Sequence, residues 1–242
     1  MTTENVDMIF FGAHADDVEI GCGGTIVTMV GRGSKVGIVD LTRAEMGTRG
    51  TPEQRREESL ESAAILGASF RETLDFGDGN LRHGREEEIE IIRILRSRRP
   101  AVIYAPWPDD RHPDHGRTGQ LVTDAWFYSG LAKIDTGQAP HRPQVVIYYP
   151  QNYIQHPTFV VDVTAAFPKK MEALAAFRSQ FYNPASNEPE TWISQRSFID
   201  MIEARARHFG TLAGAKLGEA FVTKQPPRID DVIAAYRGRE LS

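Results

Sequence analysis

One regularity constrains this chain more than any other: short apolar runs alternate with helix-periodic segments. The apolar runs fall at 8–13, 35–41, 70–76 and 101–105. Helix-like segments follow them at 21–33, 52–66, 85–98 and 113–131. Ile26, Val27 and Val30 mark the inner face of the first helix; Ile89, Ile92 and Leu95 mark that of the third. The second opens on Pro52, a residue suited to a first helical turn, and carries Leu60, Ala63 and Leu66. Such alternation predicts an α/β, Rossmann-like, doubly wound and mostly parallel sheet flanked by helices.

The second half is less regular. Strands are expected at 144–149, 158–163 and 218–222, and helices at 165–179 and 192–209. In the Tyr148-Tyr149 pair one ring is expected inside and one outside, as alternate strand positions require. The Pro- and Asn-rich stretch 183–190 reads as a linker or as part of a lid over 183–197. We therefore expect one domain over 1–242, with a core at 8–135 and a C-terminal elaboration at 136–242.

Composition narrows the partners. The chain has 242 residues and a net charge of −5, which gives no general attraction to nucleic acid or anionic lipid. No apolar run approaches the roughly 20 residues needed to span a bilayer. Cys22 is the only cysteine, so no internal disulfide and no cysteine zinc cage can form. The polar N-terminus is unlike a secretory signal. A cytoplasmic protein without nucleic-acid or membrane partners is the expectation.

Polar residues crowd two predicted strand ends. His14, Asp16, Asp17 and Glu19 follow the first apolar run; His112, Asp114 and His115 follow the fourth. Ligand sites of open α/β sheets lie at strand carboxyl ends. Two imidazoles and a carboxylate, as in His14, Asp17 and His115, are ligands of catalytic zinc that leave a position open. They also suit Fe(II). Other uses remain open at this level: Asp residues at a strand end also cap helices, and Asp114 beside Pro113 is placed for that.

These residues carry a resemblance. The run from Gly12 through His14, Asp16, Asp17 and Glu19 to Thr25 resembles the signature of the LmbE/PIG-L family of metal-dependent N-deacetylases. Leu41 to Gly50, with Arg55 and Glu58 beyond it, resembles that family's second block. Arg111-His112-Pro113-Asp114-His115 resembles its third. With Ala139 to Pro143 and Ser179 to Phe181, the likeness runs over about residues 8–224. Ala15 stands where many members have Pro, and is similar to the bacillithiol-biosynthesis branch.

The resemblance implies a zinc-dependent hydrolase, with Fe2+ as the alternative metal. It implies His14, Asp17 and His115 as ligands, Asp16 as general base and His112 as a protonated electrophilic partner, oriented by Asp114. Glu45, Arg55 and Asp78 are implied near the sugar. By residue type alone, Arg55 also reads as part of a solvated helix face and Asp78 as an ordinary turn residue. The implied substrate is a small-molecule N-acetylglucosaminide, first of all N-acetylglucosaminyl-L-malate, with Arg49, Arg82 and Arg111 available to its aglycone. The alternative is another N-acetylated sugar: an inositol glycoside, a chitooligosaccharide or an antibiotic precursor. A homo-oligomer, with a hexamer as one form, is also implied.

Two readings of another class stand beside this one. Gly21-Cys22-Gly23-Gly24 would suit a phosphate-cradling turn in a nucleotide-binding module, although it is not GxGxxG. Packing of a helix against a strand is the simpler use of these glycines. A metal-binding scaffold without catalysis would not need Asp16 or His112.

Overall fold

A computed structural model describes residues 4–237. Strands β1 (Met8–Gly12), β2 (Val36–Asp40), β3 (Phe70–Thr73), β4 (Val102–Pro106) and β5 (Val145–Tyr149) run parallel. β6 (Phe159–Asp162) and β7 (Gly218–Thr223) complete a seven-stranded sheet in the order β3-β2-β1-β4-β5-β7-β6, with β7 antiparallel to both neighbours. The chain first moves outward from β1 to β3. It then returns to β4, on the other side of β1, and continues to β5. The crevice between the ends of β1 and β4 is thus the switch point where such sheets bind ligands.

Helices α1 (Asp17–Gly31), α2 (Pro52–Leu66), α3 (Arg85–Arg98), α4 (Pro113–Ser129), α5 (Phe167–Ala175), α6 (Arg196–Ala213) and α7 (Val232–Tyr236) accompany the strands. Alternation along β1 sorts the layers. Ile9 and Phe11 join Ile91, Ile92, Leu95, Leu121 and Val122 of α3 and α4 on one face. Phe10 joins Val18, Ile26 and Leu66 of α1 and α2 on the other. Both faces being covered explains why the strands read as continuous apolar runs.

It also corrects the expectation for the tyrosine pair. Tyr148 and Tyr149 are both buried, one under each helical layer. Their hydroxyls are paired, Tyr148 with Thr123 at 2.7 Å and Tyr149 with the Phe11 carbonyl at 2.7 Å.

The first helix begins at Asp17, four residues earlier than the sequence suggests, so Gly21 to Gly24 lie inside it. A Cβ at Gly21 would come within 2.4 Å of the Tyr149 ring, and one at Gly24 within 2.7 Å of Val163. These glycines therefore permit helix–strand contact. Of the apolar residues of α2, Leu60 is exposed, whereas Ala63 and Leu66 are buried. α5 is shorter than 165–179, and α6 begins at Arg196 rather than 192. The short α7 was not anticipated.

Candidate active site

The turn after β1 is closed by Asp17. Its Oδ2 accepts the N–H groups of Ala13 and His14 at 3.0 and 2.9 Å. Asp16, the N-cap residue of α1, is held at φ 124°. For a residue with a Cβ that conformation costs on the order of 1–3 kcal/mol and persists only where surroundings impose it. Arg55 of α2 imposes it here. Its Nη2 donates to the Ala15 carbonyl and to Asp16 Oδ2, the latter at 3.2 Å. Arg55 is 5% exposed, so it is no solvated face.

The turn after β4 supplies the other wall. His112 is the N-cap of α4, its Nδ1 accepting the Asp114 N–H at 3.2 Å. Asp114 is therefore not the cap. Nor does its carboxylate reach His112 to orient it: Oδ2 accepts the Gly79 N–H at 2.7 Å and Oδ1 accepts Arg117 at 3.0 Å. Burial, then the neighbouring His14 and His115, hold His112 below the ordinary imidazole range. A neutral ring with Nε2 protonated matches this geometry better than the expected imidazolium.

The two turns converge on Asp17. Its Oδ1 lies 3.1 Å from His115 Nε2 and its Oδ2 lies 3.5 Å from His14 Nδ1. Each imidazole is backed by a carboxylate on its far nitrogen: His14 Nε2 by Asp78 at 3.0 Å, His115 Nδ1 by Asp110 at 2.9 Å. That carboxylate–histidine arrangement is the usual support of metal-ligating histidines. The ring of His112 stacks on His115 with centroids 4.7 Å apart, and the three imidazoles offer nitrogens within 4.8 Å of one another.

Ionisation agrees with a cation site. Burial works against a charged His14, yet Asp114, Asp17 and Asp78 raise it well above its ordinary value. Burial likewise opposes the His115 cation, but Asp17 and Asp110 push it up to about 9. Asp17 is held well below the carboxylate range despite its burial, chiefly by His115 and His14. The chemistry of this donor set, two imidazoles around one carboxylate, fits a divalent transition metal. The Oε1 of Gln151, buried beside Asp17, has no hydrogen-bond partner, as expected where a polar guest belongs.

A cavity of about 360 Å³ opens over these groups. Asp78 and Arg55 line it; Glu45 does not. Glu45 accepts the Asp78 N–H at 2.8 Å and so steadies the Asp78 loop from outside. Among the three loop arginines only Arg111 lines the cavity, with its guanidinium 4.9 Å from the Trp192 ring centroid. Arg49 is a buried strut to Ser179, Ser186 and Pro189, and Arg82 lines another hollow. Thr191, Trp192 and Ile193 form the outer wall, so part of the expected lid does face the site.

Sequence reading missed Asp110, Gln151, Asn152 and Arg205. Their signal was weak: Asp110 precedes the histidine cluster, and Gln151 and Asn152 follow β5, at another strand carboxyl end. Cys22 is fully buried and its thiol is raised by that burial, which suits a core residue.

Residues 9–126 match the PIG-L family model, described as GlcNAc-PI de-N-acetylase. The chain is similar to the diacetylchitobiose deacetylase of Thermococcus kodakarensis, with 32% identity over 85% of this chain and 78% of the relative. It is also similar to a probable N-acetyl-alpha-D-glucosaminyl L-malate deacetylase 2 of Bacillus anthracis, with 28% identity over 82% of this chain and 96% of that one. Among solved structures, a conserved protein from Thermus thermophilus superposes with a TM-score of 0.86 at 35% identity, covering 94% of this chain and 98% of its own.

Proposed function

Since this chain belongs to the PIG-L family of de-N-acetylases, we propose that it hydrolyses the acetamide of an N-acetylglucosaminide with a metal held by His14, Asp17 and His115. The observation that carries the reading is the convergence of His14 Nδ1 and His115 Nε2 on the Asp17 carboxylate, beside Asp16 and at the floor of the cavity. Zinc fits the set, with Fe2+ as the alternative. When bound, the cation supplies Lewis-acid polarisation of the acetyl carbonyl and acidifies water at the site.

The protein's own groups do the rest. Asp16 takes a proton from the attacking water and returns it to the departing amine. Arg55 keeps its carboxylate aimed and its backbone in place. His112 donates through Nε2 to the oxygen that becomes negative, with Nδ1 occupied by the Asp114 N–H. Removing one such donor typically lowers turnover by roughly 10²–10³. His112→Ala is therefore expected to lose about that factor in kcat while retaining bound metal. An unchanged kcat would remove His112 from the mechanism.

The aglycone is the finer question. A malyl group needs cationic partners, and Arg111 at the cavity mouth is one; the likeness to the malate deacetylase supports this choice. A second sugar needs a flat apolar platform, and the half-exposed Trp192 is one; the likeness to the chitobiose deacetylase supports that. We keep N-acetylglucosaminyl-L-malate as the first candidate and diacetylchitobiose as the second. Amine release by metal-reconstituted protein from both glycosides and from free N-acetylglucosamine decides between them. Faster release from the malyl glycoside is expected. Equal rates on the malyl glycoside and the free sugar would exclude malyl specificity.

A further inference from the structure

The corner after β5 touches the site without touching any reacting group. Asn152 donates to Asp110 twice, from its backbone N–H to Oδ2 at 2.9 Å and from Nδ2 to Oδ1 at 2.7 Å. Asp110 Oδ1 also meets His115 Nδ1 at 2.9 Å and accepts the His112 N–H at 3.0 Å. Four donors thus saturate one carboxylate whose side chain is 2% exposed. Next to it, Gln151 Nε2 donates to the Asp17 carbonyl at 2.9 Å and to Asp17 Oδ1 at 3.1 Å. The corner is itself anchored. Arg205 of α6 donates to the Gln151 carbonyl at 2.6 Å and to the Ile20 carbonyl of α1 at 3.1 Å.

We propose that this Gln151–Asn152 corner, acting through Asp110 on His115 and directly on Asp17, is a positioning element that sets how tightly the site holds its metal. The inference rests on the metal-centre reading given above. Its physical basis is the need to fix a ligating imidazole in one tautomer and one orientation. His115 offers Nε2 to the centre only while Nδ1–H has an acceptor. Asp110 is that acceptor, and it cannot turn away because Asn152 grips both of its oxygens. The less regular second half of the chain thereby completes a site whose ligands all come from the first half.

The test is Zn2+ affinity, measured by competition with a chelating dye on the full chain, alongside the melting temperature of the metal-free protein. Losing an outer-shell partner typically weakens metal binding by roughly 10–100-fold. Asp110→Asn is expected in that range, and Asn152→Ala near its lower end. Because Asn152 acts through Asp110, the double variant should bind no more weakly than Asp110→Asn alone. Asn152 is partly exposed and keeps its backbone N–H in the alanine variant, so that variant is expected to fold with its metal-free melting temperature unchanged. Affinity within twofold of the unsubstituted chain for Asn152→Ala, or losses that multiply in the double variant, would overturn the inference. An unsubstituted chain that binds no divalent ion would remove the metal-centre reading itself, and this inference with it.

Discussion

Asp16→Ala is expected to keep its metal and lose activity by roughly 10²–10⁴-fold, the usual contribution of a general base, while Asp17→Ala loses both. The residues are neighbours in sequence, yet their surroundings differ completely. Asp17 accepts two backbone N–H groups and faces two imidazoles, so both of its oxygens are engaged. Asp16 has one side-chain partner, Arg55, and no part in closing the turn. Burial, with Asp17 adding to it, raises the Asp16 carboxyl to about 7 even though Arg55 opposes the change. A carboxyl poised there can both take and return a proton near neutrality. Asp17, held well below the carboxylate range, can do neither. Elemental analysis after dialysis, paired with amine release, measures both properties on each variant. Asp16→Asn is the control for shape, since alanine is no better suited than aspartate to φ 124°. An Asp16→Ala protein without metal would overturn this division of labour.

The parts of this molecule that could be read from sequence share a physical cause. Strands covered by helices on both faces must be apolar throughout, so β1, β2 and β4 announced themselves. The helices α2 and α3 did so because Pro52 and the Gly84–Arg85 boundary punctuate them. The start of α1 was obscured because the turn at 13–16 carries no Gly or Pro to mark it, and Asp17 closes that turn and begins the helix at once. Both strand-end clusters were legible because each groups His with Asp within a few residues of an apolar run. The role of Asp114 was not, because its carboxylate turns to Gly79 on a loop distant in sequence. The outer support at Gln151, Asn152 and Arg205 left no pattern, since amides and a lone arginine acquire meaning only once the sheet brings β5 beside β4. Glu19, without an evident task in the sequence, belongs to a buried network beneath the site.

That network gives the largest expected effect on stability. Arg71 of β3 is 1% exposed in its side chain, and Glu19 and Asp40 are fully buried. Its Nε and Nη2 donate to the two oxygens of Asp40 at 2.7 and 2.9 Å, and its Nη1 donates to Glu19 Oε1 at 2.5 Å. One guanidinium thus bridges two carboxylates, one from α1 and one from β2, and joins them to β3. Arg71→Met would fill most of the volume but leave two buried charges without a cation. Breaking a buried ion pair on one side costs about 3–5 kcal/mol, a large share of the ~5–15 kcal/mol that holds a typical domain together. Urea unfolding of the metal-free protein should register that loss. The deficit should shrink as pH falls, because protonation discharges Asp40, whose folded-state affinity for protons exceeds that of the unfolded chain. Burial already raises the Asp40 carboxyl with Arg71 present. Adding Glu19→Gln and Asp40→Asn to Arg71→Met should recover much of the stability, since uncharged partners of similar shape carry no desolvated charge. A loss below 1 kcal/mol in Arg71→Met alone would mean that water reaches these carboxylates, and that the network does not fix the first turn of α1 from which Asp17 meets the two imidazoles.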